Sequence, residues 1–218
     1  MTKAIIFDMD GLLIDSEPLW HEAEMFAFPQ AGIELTRENC LETTGLRVDA
    51  VVDYWYQRRP WKSPSKKHIE EAIINKVVEL VLAKGEKKEG VDYVTDYVAS
   101  LPVKIALASS SPYRIIRSVV EKFQLSSYFH QICSAEEEEY GKPHPGVYIT
   151  TAKRLDVKTE NCLAVEDSIT GVIAAKAASM QCIAVPEEAW KNDKRFAIAD
   201  LVLNSLLDFN EEVWNKIG

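Results

Sequence analysis

Short runs of consecutive apolar residues recur along the chain, and stretches with helical periodicity separate them. The runs occupy residues 4–7, 103–108, 131–133, 162–165, 182–185 and 201–203. Strands that helices cover on both faces have this continuous apolar pattern, because neither face meets water. The alternation of such runs with helices predicts an α/β fold, a doubly wound parallel sheet between two layers of helices.

The alternation is interrupted once, directly after the first run. From about residue 17 to residue 84 the sequence has only helical patterns, for example over 19–28, 48–57 and 68–82. A helical insertion of this length predicts a second unit. We therefore expect residues 1–14 and 86–218 to form the α/β core and residues 15–85 to form an inserted helical cap.

Composition limits the partners of the chain. Its 218 residues include 25 Lys and Arg against 34 Asp and Glu, a net charge of −9. Nucleic acid is an unfavourable partner for an acidic chain, because phosphate backbones bind cationic surfaces. No segment has the roughly 20 consecutive apolar residues of a membrane span. We expect a small-molecule partner, no nucleic acid, no membrane and a monomer.

The cysteines and the N-terminus indicate a cellular compartment. Cys40, Cys133, Cys162 and Cys182 are widely spaced and form neither a CxxC pair nor a zinc-finger pattern. The first residues lack the long apolar stretch and cleavage site of a signal peptide. Free thiols and no export signal predict a reducing cytoplasm.

Polar residues follow four of the apolar runs. They are Asp8 and Asp10 after the first run, Ser109 to Ser111 after the second, Lys142 after the third, and Glu166 and Asp167 after the fourth. Ligands of open α/β sheets bind at the carboxyl ends of the strands. The sequence therefore predicts one site at this edge, built from four acids, a hydroxyl cluster and a lysine.

The acids predict a metal. Asp8 and Asp10 are two residues apart, so in an extended chain both carboxylates point to the same side. Close carboxylates repel one another unless a cation or a proton lies between them, and Glu166 and Asp167 add further negative charge. A hard divalent cation with oxygen ligands, Mg²⁺, relieves that repulsion.

The remaining residues predict a phosphate site. Lys142 supplies a positive charge, Ser109 a hydroxyl, and the amides of Ser110 and Ser111 lie where a helix begins. A metal, a lysine, a hydroxyl and a helix N-terminus together are typical of phosphoryl transfer with an aspartate nucleophile.

These motifs resemble a known family. Asp8-Met9-Asp10-Gly11, Ser109, Lys142-Pro143 and Glu166-Asp167-Ser168 resemble the four ordered motifs of the haloacid dehalogenase superfamily, and the helical insertion resembles its C1 cap. Residues 6–20 are similar to the branch of β-phosphoglucomutases and sugar phosphatases. Residues 45–47 and 55–61 resemble the bacterial hexitol phosphatases within that branch.

The resemblance implies a role for each matching residue. Asp8 would attack phosphorus, and Asp10 would protonate the leaving alcohol and then activate water. Mg²⁺ would be held by Asp8, the backbone carbonyl of Asp10 and Asp167, with Glu166 close by.

Substrate contacts follow in the same way. Ser109, the Ser110 amide and Lys142 would bind the transferring phosphoryl group together with Asp8 and Asp10. Arg47 would reach the substrate from the cap. The implied activity is a Mg²⁺-dependent phosphatase for hexose or hexitol 6-phosphates, including 2-deoxyglucose 6-phosphate.

Two alternatives stay open. A β-phosphoglucomutase shares the core motifs, but the mutases resembled here place a histidine at position 20. This chain has Trp20, and His21 is rotated by about 100° along a helix. A non-catalytic binding protein on the same fold is the second alternative, although such relatives usually lose the nucleophile or the lysine, which are both present.

Overall fold

Six parallel strands form the sheet, in the spatial order β3-β2-β1-β4-β5-β6. The computed structural model describes residues 2–217. The strands are β1 Ala4–Phe7, β2 Lys104–Ser109, β3 Gln131–Ser134, β4 Cys162–Glu166, β5 Gln181–Ala184 and β6 Leu201–Val202. All six begin within two residues of the predicted runs, and the predicted doubly wound parallel sheet is confirmed.

The central strand β1 shows why the apolar runs are continuous. Its alternate residues point to opposite faces of the sheet. Ile5 and Phe7 join one buried apolar cluster, while Ala4 and Ile6 join another. Because each face has its own helical layer, no position of β1 is left for a polar residue.

The register aligns the strand ends. Phe7 pairs with Leu107 of β2 on one side and with Val165 of β4 on the other. The three central strands therefore end at nearly the same level, and the polar residues that follow them share one edge.

Nine α-helices surround or extend the sheet in the described part of the chain. They are α1 Glu17–Ala27, α2 Arg37–Leu41, α3 Val48–Arg58, α4 Lys66–Lys84, α5 Val91–Ala99, α6 Tyr113–Lys122, α7 Gly146–Arg154, α8 Ile169–Ala177 and α9 Glu211–Ile217. Helix α6 begins at Tyr113, because Pro112 is extended (ψ 149°) and acts as the N-cap. None of the helices between residues 2 and 217 is long and apolar enough to cross a membrane.

Helices α1 to α4 lie in the insertion between β1 and β2, which we call the cap segment (residues 15–85). Helix α4 buries Ile69, Ile73 and Val77 on one face. It also contacts α6 of the sheet layer, where Arg114 donates to Glu71 over 2.8 Å. The helical content agrees with the sequence pattern, and the division into core and cap stays a prediction.

Candidate active site

Asp8 lies directly after β1, at the centre of the sheet edge. Its backbone amide donates to the carbonyl of Val165 over 3.0 Å, which continues the pairing of β1 with β4. Its side chain is buried, and Oδ1 accepts a hydrogen bond from Lys142 Nζ over 2.6 Å. The first predicted acid and the predicted lysine are therefore in direct contact.

Lys142 uses its three ammonium hydrogens on three oxygens. Nζ donates to Asp8 Oδ1 and Glu166 Oε1, each over 2.6 Å, and to the carbonyl of Ala108 over 3.0 Å. Burial by itself would lower the pKa of Lys142, but the two carboxylates outweigh burial and raise that pKa. Lys142 is therefore a fixed, permanently charged group between Asp8 and Glu166.

Glu166 ends β4 and is completely buried. Besides Lys142, its Oε1 accepts a hydrogen bond from the hydroxyl of Tyr148 over 2.6 Å. Gly171 on α8 makes room for this carboxylate, since a Cβ atom at position 171 would lie 2.0 Å from the Glu166 carboxyl atoms. Helix, tyrosine and lysine together hold Glu166 in one orientation.

An acidic cluster forms at the same edge. Asp8, Glu166 and Asp167 each offer one carboxylate oxygen, and these oxygens lie within 4.8 Å of one another. Burial, which outweighs the charge of Lys142, raises the pKa of Asp8 to about 8. Burial, followed by the charge of Asp8, raises the pKa of Asp167 well above its ordinary value. Three crowded carboxylates with a single lysine beside them fit a hard divalent cation.

Asp10 is held by four donors. Its Oδ1 accepts from Ser16 Oγ at 2.7 Å and Trp20 Nε1 at 3.0 Å, and its Oδ2 accepts from Ser111 Oγ at 2.7 Å and Ser109 Oγ at 3.2 Å. Two of these donors come from the cap segment, one is the last residue of β2, and one lies two residues further along the chain. The Asp10 carboxylate thus joins the cap segment to the sheet edge.

A cavity of about 380 Å³ lies between the cap segment and the sheet edge. Seven of the predicted site residues line it: Asp8, Asp10, Arg47, Ser110, Ser111, Lys142 and Asp167. The other two, Ser109 and Glu166, are fully buried behind the wall. Ser109 Oγ donates to Asp10 and accepts from the amide of Ser111 over 2.9 Å, so in this structure its hydroxyl orients Asp10.

Arg47 reaches across from the start of α3 to the loop after β3. Its Nε and one terminal nitrogen donate to Asp49, each over 2.7 Å. The other contacts are to the carbonyls of Ala135 at 2.9 Å, Glu138 at 2.8 Å and Glu139 at 3.3 Å. All five guanidinium hydrogens are thus used on protein oxygens. A direct contact of Arg47 with a substrate stays a prediction. Such a contact requires Arg47 to give up at least one of these hydrogen bonds.

Sequence reasoning missed several residues that touch the site. Tyr148 lies in the first turn of α7, where a buried aromatic residue gives the same signal as any core position. Ser16 precedes α1 without making a capping hydrogen bond, and its hydroxyl is used on Asp10 instead. Such contacts depend on how separate elements pack, so local sequence patterns do not reveal them.

Comparison with known proteins shows which family the chain resembles. A family model described as haloacid dehalogenase-like hydrolase matches residues 5–185. Hexitol phosphatase B of Escherichia coli strain K12 is 43% identical over 206 residues, which cover 94% of this chain and 93% of that protein. The phosphorylated carbohydrates phosphatase of Thermotoga maritima is 30% identical over 184 residues, 83% of each protein.

A solved structure shows the same architecture. The crystal structure of CbbY from Rhodobacter sphaeroides in complex with phosphate matches this chain with a TM-score of 0.83 and 27% identity. The match covers 95% of this chain and 96% of that chain. The chain belongs to the haloacid dehalogenase-like hydrolases. Within this family it is a phosphatase.

Proposed function

We propose that the protein hydrolyses hexose or hexitol 6-phosphates, including 2-deoxyglucose 6-phosphate, in a Mg²⁺-dependent reaction. The observation that carries the proposal is the pair of Asp8 and Lys142, 2.6 Å apart in the cavity wall, with Asp10 lining the same cavity. The substrate class is supported by the names of two relatives, a hexitol phosphatase and a phosphatase of phosphorylated carbohydrates.

The proposed reaction has two steps. A carboxylate oxygen of Asp8 attacks phosphorus, the bond from phosphorus to the sugar oxygen breaks, and Asp10 gives its proton to that oxygen. In the second step Asp10 takes a proton from water, which attacks the aspartyl phosphate and releases inorganic phosphate. Lys142 and the Ser110 amide bind the phosphoryl oxygens, and the fixed charge of Lys142 favours the transition state.

The acidic cluster is the proposed site for Mg²⁺. Asp8, Asp167 and the backbone carbonyl of Asp10 would hold the ion, with Glu166 beside them. When bound, Mg²⁺ supplies positive charge next to the phosphoryl oxygens. Glu166 Oε1 already accepts from Lys142 and Tyr148. We therefore assign Glu166 mainly to the positioning of Lys142.

The partner and the setting follow from the same proposal. The partner is a small phosphorylated metabolite, not nucleic acid, and the protein acts as a monomer. Its cysteines are buried free thiols, which agrees with a reducing cytoplasm.

A substrate panel tests the proposed function. Purified protein is assayed for phosphate release from hexose 6-phosphates, hexitol 6-phosphates and p-nitrophenyl phosphate, with Mg²⁺ and with EDTA. We expect turnover with Mg²⁺ and its loss with EDTA. Asp8→Asn is expected to lower kcat by at least about 1,000-fold, or 4 kcal/mol of barrier.

The matched control is Asp53→Asn, because Asp53 is a half-exposed aspartate on α3 that pairs with Lys66. Full activity after exhaustive dialysis against EDTA would exclude the metal. Normal turnover by Asp8→Asn would exclude the aspartyl phosphate.

A further inference from the structure

Helix α1 presents a polar face to the cavity. Glu17, Trp20, His21 and Glu24 all line the cavity, with the spacing i, i+3, i+4 and i+7 that places side chains on one side of a helix. Such a stripe is ordinarily apolar when it faces the interior. The residues lie in order along the helix axis, so Trp20 contacts Asp10 while Glu24 lies one turn further into the cap segment.

Two buried residues on this face each leave one side-chain atom without a hydrogen bond. Glu24 is 4% exposed, and its Oε2 has no hydrogen-bond partner within residues 2–217. His21 is 6% exposed, and its Nε2 also has no hydrogen bond in that range, with Glu17 Oε1 3.6 Å away. Buried polar atoms in folded proteins nearly always have a partner, so each exception calls for an explanation. Burial raises the pKa of Glu24 to about 7, although side-chain hydrogen bonds with Cys40 and Thr43 act to lower it.

We propose that Glu24 determines substrate choice by accepting hydroxyl groups of the substrate at the end remote from its phosphate. This inference rests on the proposed function, since it places the phosphate at Asp8 and Lys142. Four residues along a helix correspond to about 6 Å, so Glu24 lies well beyond the Asp10 contact of Trp20. A substrate that reaches Glu24 must extend several carbon atoms from its phosphate.

The same geometry determines which charge the substrate can carry at its distal end. An unpaired carboxylate oxygen needs a donor, and hydroxyl groups of a polyol supply one. A second phosphate at this end would meet the Glu24 carboxylate and be repelled. The Glu24 end of the cavity therefore selects monophosphates with free distal hydroxyls over bisphosphates.

The test is the ratio of kcat/KM for sorbitol 6-phosphate to kcat/KM for p-nitrophenyl phosphate, which has no distal hydroxyl. Glu24→Leu is expected to lower this ratio at least about tenfold, mainly through KM for the hexitol phosphate, because it loses a hydrogen bond to a charged group. Glu24→Gln keeps one oxygen acceptor and is expected to lower the ratio less. The matched control is Glu22→Gln, since Glu22 is on the same helix and pairs with Lys84 away from the cavity.

The outcomes separate the two proposals. If wild-type protein hydrolyses sorbitol 6-phosphate and folded Glu24→Leu keeps the wild-type ratio, the role of Glu24 is wrong. If Glu24→Leu does not fold, Glu24→Gln decides: a wild-type ratio overturns the inference and a lowered ratio supports it. If wild-type protein hydrolyses p-nitrophenyl phosphate but no hexose or hexitol phosphate, the proposed function fails, and this inference fails with it.

Discussion

The indole N–H of Trp20 donates a hydrogen bond to Oδ1 of Asp10 over 3.0 Å. Trp20 belongs to the first helix of the cap segment, and Asp10 follows the central strand. The environment of the proposed acid and base is therefore complete only when the cap segment lies against the sheet edge. Indole donates a proton in a hydrogen bond but cannot accept one, so Trp20 can orient Asp10 without exchanging protons with it.

The first prediction removes this donor. Trp20→Phe leaves one Asp10 oxygen with a single donor, and a lost hydrogen bond to a charged group costs about 1.5–3 kcal/mol. We expect kcat for sorbitol 6-phosphate to fall at least about tenfold. The fall with p-nitrophenyl phosphate should be smaller, because a good leaving group needs little protonation.

Steady-state kinetics with both substrates measures this difference. The control is Trp61→Phe, whose indole donates to the carbonyl of Pro64 within the cap segment. Equal losses with the two substrates would show that Trp20 does not act through the acid role of Asp10.

The second prediction concerns the space beside Glu166. In an ordinary helix, Gly→Ala stabilises by about 1 kcal/mol. At position 171 the new Cβ would lie 2.0 Å from the Glu166 carboxyl atoms, and moving that carboxylate breaks its contacts with Lys142 and Tyr148. We therefore expect Gly171→Ala to lower the melting temperature and to reduce kcat at least about tenfold.

Thermal unfolding and kinetics on the same preparation measure both effects. Ile173→Ala serves as control, because Ile173 is exposed on the same helix. A Gly171→Ala variant that is as stable and active as wild type would contradict the packing described around Glu166.

The third prediction is a pH dependence of stability at Glu24. Burial raises the pKa of Glu24 from 4.5 to about 7 in the folded protein. Between those two pKa values Glu24 is ionised in the unfolded chain but still protonated in the folded protein. The free energy of unfolding therefore falls as pH rises, and the loss is complete above about pH 7. Glu24→Gln removes the ionisation and is expected to stabilise the protein more at pH 8 than at pH 5, by about 2 kcal/mol.

Urea unfolding at the two pH values measures the difference, with Glu22→Gln, at a half-exposed position, as the control. The prediction fails if Glu24→Gln changes the free energy of unfolding equally at both pH values. A gain in stability combined with a loss of substrate selectivity is the pattern expected of a residue kept for function.

The sequence predicted the sheet well because the signal there is local. Each strand is apolar at consecutive positions, and the residues that follow it, such as Asp8 and Asp167, are placed by backbone geometry alone. The prediction of one site at the sheet edge brings Lys142 next to Asp8, and the two side chains are in contact although they are 134 residues apart in sequence.

Side-chain orientation was less predictable. Helix geometry suggested that His21 points away from the direction of Trp20, yet both line the cavity because it is wide enough to span that face of α1. Ser109 turns its hydroxyl to Asp10, and Arg47 uses its donors on a distant loop. These choices follow from tertiary packing, which residue spacing does not encode.

The most direct test of the central claim, hydrolysis and not isomerisation, is a phosphorus-31 NMR time course. One sample contains sorbitol 6-phosphate, and the other contains β-glucose 1-phosphate with a glucose bisphosphate primer, both with Mg²⁺. We predict a steadily growing inorganic phosphate signal in the first sample and no glucose 6-phosphate signal in the second. Growth of glucose 6-phosphate without inorganic phosphate would contradict the account and make the protein a mutase despite Trp20.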